Sequence, residues 1–114
     1  MEDCLFCKIA NKEIKSDIVY ENDKVLVFRD INPQAPVHLL LIPKKHVSSI
    51  VDIDQLDCEE VFELLKTISV IAKETSLVKS GFRVVSNTGS SAGQSVNHLH
   101  FHILGKINFN WPPG

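Results

Sequence analysis

The chain is poor in the features that would mark a membrane-spanning, disulfide-stabilised or nucleic-acid-binding protein. No stretch of its 114 residues approaches the roughly 20 consecutive apolar residues of a transmembrane helix. Twelve basic and 14 acidic residues give a net charge of −2, so no basic excess favours nucleic acid or acidic membranes. Three cysteines, an odd number, argue against a disulfide framework and favour a reducing compartment. Because the N-terminus also lacks an apolar stretch of signal-peptide length, we expect a cytoplasmic protein with one domain, residues 1–114.

Short apolar runs separated by turns predict a five-stranded sheet. The runs IVY and VLVF flank the polar turn ENDK and indicate a hairpin. Pro33 and Pro36 then interrupt the chain before a third strand, HLLLIP. The segments FRVVSN and HLHFHIL predict the fourth and fifth strands. These strands favour an antiparallel sheet.

One long segment has helical periodicity instead. Between Asp57 and Thr75 the apolar residues recur at helical spacing: Val61, Leu64, Leu65, Ile68, Ile71 and Ala72. Asp57 and Glu60 predict a capping box at the start, and Gly81 is expected to close the segment. CKIANKE adds a short helix near the N-terminus. The sequence therefore predicts an α+β fold with one long helix, one short helix and an antiparallel sheet.

The histidines are unevenly distributed along the chain. Three of the five, His98, His100 and His102, alternate with apolar residues in HLHFHIL. Successive side chains of a strand point to opposite faces, so one face gathers the imidazoles while the apolar face packs on the helix. Clustered imidazoles serve either as metal ligands or in nucleophilic and acid–base catalysis.

The loop before these histidines, NTGSSAGQS, is suited to binding a phosphate. Gly89 and Gly93 allow a ligand to approach the backbone closely, and hydroxyl, amide and backbone N–H donors surround them. Beside the imidazoles, this loop indicates phosphoryl chemistry. One imidazole would attack phosphorus to give a phospho-histidine, and a neighbour would protonate the leaving group. That mechanism requires no metal.

The segment HLHFHIL resembles the signature of the histidine triad superfamily, in which three histidines alternate with apolar residues. The segments AGQS, NWPPG, FRDINPQAPVHLLLIPKKH and VSNTGSSAGQS extend the resemblance to the Hint branch, the histidine triad nucleotide-binding proteins. The resemblance implies a homodimeric α+β fold in which the sheets join, and a pocket for a purine nucleoside monophosphate. It also implies hydrolysis at the α-phosphate, especially of phosphoramidates of AMP or GMP.

The resemblance assigns roles to individual residues. His100 corresponds to the nucleophile, His102 to the histidine that contacts the phosphate and aids proton delivery, and His38 to a supporting histidine. The residues assigned to the nucleotide are Phe28, Asp30, Ile31, Leu40, Asn87, Gly93, Gln94, Ser95 and Trp111. The three apolar ones would surround the base and ribose, and Asp30 would accept from the ribose hydroxyls. Gln94 and Ser95 would donate to the phosphate, and the Asn87 amide would contact it. Trp111 would lie near the active site of the partner subunit.

A second candidate site begins at the N-terminus, where Cys4 and Cys7 have C-x-x-C spacing. A redox dithiol would require a thioredoxin-like βαβ context, which does not follow. Two inert buried cysteines remain an alternative. The resemblance favours structural zinc, since many bacterial members pair such cysteines with two histidines, here His46 and His98. Cys58 has no partner in the sequence and is expected to pack in the core.

Three functional alternatives remain open from the sequence. The chain could be a nucleotide-binding regulatory module whose hydrolysis is incidental. It could instead hydrolyse dinucleoside polyphosphates, as the Fhit branch of the same superfamily does, or be a zinc-dependent hydrolase.

Overall fold

The computed structural model describes residues 3–114, which form three helices and five strands. The helices are α1 (Leu5–Ala10), α2 (Cys58–Glu74) and α3 (Leu77–Ser80). The strands are β1 (Ile18–Glu21), β2 (Val25–Arg29), β3 (Val37–Pro43), β4 (Phe82–Val85) and β5 (Phe101–Gly105). Short 3₁₀ turns lie at Ile50–Gln55 and Ser90–Ala92. Within residues 3–114, no helix has the length and apolar character needed to cross a bilayer.

All strands belong to one antiparallel sheet with the order β1-β2-β3-β5-β4. The predicted α+β class with a five-stranded antiparallel sheet is therefore confirmed. Cross-strand pairing places Phe28 opposite Leu40 and Leu40 opposite His102. Because directly paired residues share a face of the sheet, these three side chains form one row across three neighbouring strands.

The sheet has an apolar core on each face, as the alternation along β2 and β3 requires. One cluster joins Val25, Val27, Leu39 and Leu41 to Leu64 and Ile71 of α2. The other joins Leu26, Phe28, Leu40 and Ile42 to Phe6 and Ile9 of α1. The long helix thus covers one face of the sheet, and the short N-terminal helix covers the other.

The capping box at the start of α2 is present as predicted. The Asp57 side chain accepts from the backbone N–H of Glu60 at 2.8 Å, and the Glu60 side chain accepts from the N–H of Asp57 at 2.9 Å. The end of the segment differs from the expectation, because Ser76 adopts a left-handed conformation with φ 61° and separates α3 from α2. Gly81, with φ 92°, closes α3. Cys58 is exposed at the first turn of α2, so its predicted core packing is wrong.

The fifth strand is shorter than the sequence predicts, because it begins at Phe101 and leaves His98 and His100 outside the ladder. Two hydrogen bonds account for this. The Leu99 N–H donates to the carbonyl of Val47 at 2.8 Å, and the His98 carbonyl accepts from the imidazole of His100 at 2.7 Å. The Leu99 N–H and the His98 carbonyl therefore already have partners outside the ladder. The fourth strand also ends early, at Val85.

Candidate active site and metal centre

A cavity of about 290 Å³ lies over the α1 face of the sheet. The row formed by Phe28, Leu40 and His102 contributes to its lining, and His100 lies beside that row. The other lining residues are Leu5, Phe6, Ile9, Ile14, Lys15, Ser16, Arg29, Asp30, Ile31, Ser95 and Val96. The cavity therefore combines an apolar wall with imidazole, carboxylate and hydroxyl groups.

Sequence reasoning missed the wall that α1 and the following segment provide. Leu5, Phe6 and Ile9 lie on α1, and Ile14 follows it. Their spacing, i, i+1 and i+4, indicates that the three α1 residues lie on one side of the helix, but it does not distinguish a cavity wall from a core. Lys15, Ser16 and Arg29 also line the cavity without having been predicted to do so.

The hydrogen bond of His100 fixes the tautomer of its imidazole. Its Nδ1 lies 2.7 Å from the carbonyl oxygen of His98. A carbonyl only accepts, so Nδ1 must carry the proton and donate. In the neutral ring the lone pair then resides on Nε2, which is the form a nucleophile needs. The side chain is 4% exposed and lines the cavity.

Next to His100, His38 and His102 form a hydrogen bond in which the donor and the acceptor can be assigned. The backbone N–H of Gln34 donates to Nδ1 of His38 at 3.0 Å, so that nitrogen holds a lone pair. Nε2 of His38 therefore carries the proton and donates to Nδ1 of His102 at 2.9 Å. His102 in turn carries its proton on Nε2. The pair thus provides a hydrogen-bond donor on a side chain that lines the cavity.

Burial keeps this pair neutral. Desolvation lowers the pKa of His38, and the nearby carboxylate of Asp30 opposes the shift. The pKa of His102 is lowered chiefly by desolvation and also by its two imidazole neighbours, while Asp30 again opposes. Neutral rings are the forms that the hydrogen-bond pattern requires.

Asp30 lies at the edge of the cavity with its two oxygens in different environments. One accepts from the backbone N–H of Asn32 at 2.8 Å, and the other lies 3.3 Å from Nε2 of His38. A carboxylate has further lone pairs, so these contacts leave acceptor capacity for a ligand hydroxyl.

Only some of the loop residues predicted to hold a phosphate line the cavity. Ser95 is exposed and lines the cavity. The Gln94 amide instead donates to the carbonyls of Ser48 at 2.7 Å and Val96 at 3.1 Å and accepts from Gly89 at 2.9 Å. It therefore holds the loop in place, and a direct contact with phosphate stays a prediction.

Gly93 and Asn87 do not line the cavity. Gly93 has φ 89° and donates its N–H to Ser90 at 3.0 Å within the loop. Asn87 is half-buried just beyond β4. Its neighbour Ser86, which sequence reasoning missed, donates its hydroxyl to the carbonyl of His100 at 2.9 Å. That bond ties the end of β4 to the segment carrying the imidazoles.

Two predicted contacts with the nucleotide come from strongly exposed residues. Ile31 lines the cavity but is 100% exposed in the single chain. Trp111 is 83% exposed and lies outside the cavity lining. The structure therefore brings Trp111 to no site within the described chain, and its predicted role near a partner subunit stays a prediction.

The second site brings together the four residues that were predicted as metal ligands. Sγ of Cys4 lies 3.3 Å from Nδ1 of His98, and Sγ of Cys7 lies 3.3 Å from Nδ1 of His46 and 3.5 Å from that of His98. The two Nδ1 atoms are 3.2 Å apart. Zinc bonds of about 2.3 Å to sulfur and about 2.0 Å to nitrogen imply tetrahedral edges of about 3.3 to 3.8 Å. The observed separations come close to these edges.

The surroundings of the cluster also suit a metal. Nε2 of His98 donates to the carbonyl of Pro43 at 2.8 Å, which leaves Nδ1 as a lone pair facing the other three groups. The backbone N–H of Cys7 donates to Sγ of Cys4 at 3.3 Å. Burial lowers the pKa of His98 to about 4, which favours the unprotonated Nδ1 that a metal needs. Burial and the Cys4 thiol raise the pKa of Cys7 to about 11, so a metal would displace a proton from this thiol on binding. The donor set fits zinc, and all four ligands come from the protein.

The fold agrees with comparisons to known proteins. The HIT domain family matches residues 11–109. The chain belongs to the HIT family. It is 46% identical to the 14 kDa zinc-binding protein of Brassica juncea, over 98% of this chain and 100% of that protein. It is also 46% identical to the adenylylsulfatase HINT1 of Arabidopsis thaliana, over 96% of this chain and 76% of that protein.

A solved HIT structure has the same fold. A HIT family hydrolase from Legionella pneumophila matches with a TM-score of 0.94 at 46% identity, over 98% of this chain and 100% of that chain. The histidine triad resemblance inferred from HLHFHIL is thereby confirmed. Within this HIT fold the three histidines of the motif divide between two sites, because His98 faces the cysteines while His100 and His102 line the cavity.

Proposed function

We propose that the protein is a purine nucleoside phosphoramidase, which cleaves conjugates of AMP or GMP at the α-phosphate. Hydrolases and an adenylylsulfatase among its relatives support nucleotide hydrolysis as the general activity. The observation that carries the finer proposal is the hydrogen bond from His100 to the carbonyl of His98. It leaves Nε2 unprotonated on a buried imidazole at a cavity that also contains a donor imidazole and a hydroxyl.

The cavity offers a complementary surface for each part of a nucleotide. The base packs between the α1 residues and the row that includes Phe28 and Leu40. The ribose hydroxyls donate to Asp30, and the phosphate lies between the imidazoles and Ser95. Support for this orientation comes from the apolar wall and from the polar groups at its opposite end.

Hydrolysis proceeds in two displacements. Nε2 of His100 attacks the α-phosphorus, the bond from phosphorus to the amide nitrogen breaks, and the electron pair leaves with nitrogen. His102 hydrogen-bonds through Nε2–H to the departing nitrogen and passes it that proton, so the nitrogen leaves as the amine, and His102 recovers a proton from the water that attacks in the second displacement. Water then attacks the nucleotidyl-histidine, the bond from phosphorus to Nε2 breaks, and the nucleoside monophosphate is released.

The metal cluster has a structural role in this proposal. Cys4, Cys7, His46 and His98 would hold zinc, which supplies a cross-link between the N-terminal segment and the chain before β5. Four protein ligands leave no open coordination position, so the displacements depend on this chain's imidazoles.

The proposal also includes a homodimer. β4 is an edge strand, and Val84 pairs with Ile103, whose side chain lies on the α2 face of the sheet. Phe82 and Val84 of β4, and Phe62 and Leu65 of α2, are exposed in the single chain. An open strand edge beside exposed apolar side chains favours pairing with a second copy.

Turnover of a fluorogenic adenosine phosphoramidate by the wild type and by His100→Asn tests the activity. We expect the variant to lose at least about a thousandfold in kcat while its affinity for AMP, measured by calorimetry, changes little. Equal turnover by the two proteins with retained AMP binding would favour a regulatory binding module instead. Faster turnover of a dinucleoside polyphosphate than of the phosphoramidate would favour a dinucleoside polyphosphate hydrolase instead.

A further inference from the structure

The short helix α1 takes part in both sites. Cys4, at its N-cap, and Cys7 belong to the candidate metal cluster. Leu5, Phe6 and Ile9 line the cavity. A six-residue helix has little stability of its own, so its position depends on what its side chains contact. Besides its packing on the sheet, α1 therefore contributes side chains to both the proposed metal site and the proposed nucleotide site.

Phe6 connects these two sets of contacts. It lies between the cysteines and is 5% exposed. Its ring meets the imidazole of His100 edge-on at 5.0 Å between centroids and Phe28 at 5.5 Å. The same ring lies 6.0 Å from the imidazole of His98. One side chain thus touches the proposed nucleophile, the cavity wall and a proposed metal ligand.

We propose that metal and nucleotide bind cooperatively through α1, with Phe6 as the positioning residue that couples them. Metal held by Cys4 and Cys7 fixes the helix and holds Phe6 against His100 and Phe28, so the cavity is already formed when a nucleotide arrives. Without metal, the helix is docked by its apolar residues alone, and part of the nucleotide's binding energy is used to order it. The inference rests on the proposed function for the identity of its nucleotide.

Thermodynamic linkage provides the test, with zinc and AMP as the probes. We expect metal-free wild type to bind AMP about fivefold or more weakly than the zinc-loaded protein, as measured by calorimetry. Saturating AMP should raise the zinc affinity, measured by competition with a chelator, by the same factor. Equal AMP affinity in both forms would overturn the coupling and leave the proposed function intact. Failure of the zinc-loaded protein to bind AMP would overturn both.

Two variants separate this local coupling from stabilisation of the whole fold by AMP. Phe6→Leu should bind zinc, but saturating AMP should change its zinc affinity by less than about twofold. Ile14→Ala is the matched control, because Ile14 lines the same cavity from outside α1. It should bind AMP more weakly. Saturating AMP should nevertheless raise its zinc affinity by the same factor as in the wild type. If Phe6→Leu retains the full factor, the coupling does not pass through Phe6 and the proposal is wrong. Chelator competition starts from the zinc-loaded protein, so it remains valid even if metal-free protein unfolds.

Discussion

Three of the five histidines have main-chain partners that determine which of their nitrogens is protonated. His100 and His98 donate to backbone carbonyls, and His38 accepts from a backbone N–H. These contacts come from the main chain and therefore persist whatever the neighbouring side chains do. The fold in this way assigns a lone pair to Nε2 of His100 and to Nδ1 of His98, which are the atoms needed at the two sites.

The hydrogen bond between His38 and His102 predicts how activity responds to acid. Protonation of His102 would place an N–H on its Nδ1 against Nε2–H of His38 at 2.9 Å, and protonation of His38 would place one on its Nδ1 against the backbone N–H of Gln34 at 3.0 Å. Because the pKa values of both rings are lowered, we expect the decline of kcat that protonation of this pair causes to lie below pH 6.5, the ordinary value for histidine.

Asp30→Asn tests the origin of that decline. The Asp30 carboxylate raises both pKa values, so its removal should lower them further and move the acid limb of kcat to lower pH. Loss of a ribose contact would raise KM without moving that limb. A limb that moves to higher pH, or stays in place, would contradict the electrostatic assignment.

Among the elements, α2 was predictable because its signals are local. The apolar spacing and the capping residues both lie within the segment itself. The start of β5 was not predictable in this way. Its alternating pattern continues back to His98, but the Val47 carbonyl, which is distant in sequence, binds the Leu99 N–H and ends the ladder. Alternation correctly predicted which side chains share a face and wrongly predicted where the strand begins.

The capping box of α2 should contribute to stability without affecting the site. Asp57→Ala removes the acceptor for the Glu60 N–H and should cost about 1 kcal/mol in the free energy of unfolding. Asp57→Asn retains an acceptor and should cost much less. Urea denaturation of both variants, with turnover measured alongside, provides the check. A loss of activity with unchanged stability would contradict a purely structural role.

At the scale of the whole molecule, the two sites lie on the α1 face of the sheet and the proposed dimer surface on the α2 face. The sequence predicted the members of the metal cluster together, because the resemblance supplied His46 and His98 as partners of the cysteines. It missed the α1 wall of the cavity, since an apolar residue that lines a cavity and one that fills a core look alike in sequence. The contact of Asp30 with His38 was not predictable from the sequence either, because it depends on how the fold brings the two residues together.

Leu65→Glu tests the proposed dimer. Leu65 is 58% exposed in the single chain, and a carboxylate there should disfavour an apolar interface. We expect sedimentation to give twice the chain mass for the wild type and the mass of one chain for the variant. Val51→Glu, a charge placed on an exposed residue outside α2 and β4, should leave the dimer intact. A wild type that sediments as one chain would contradict the dimer.

The central claim is that His100 accepts the nucleotidyl group from the substrate. Acid quenching during turnover of an adenosine phosphoramidate, followed by digestion and mass spectrometry, measures this directly. We predict an adenylylated peptide with the modification on His100 and none in His100→Asn. An adduct on another residue, or rapid turnover with no adduct at any quench time, would contradict the account.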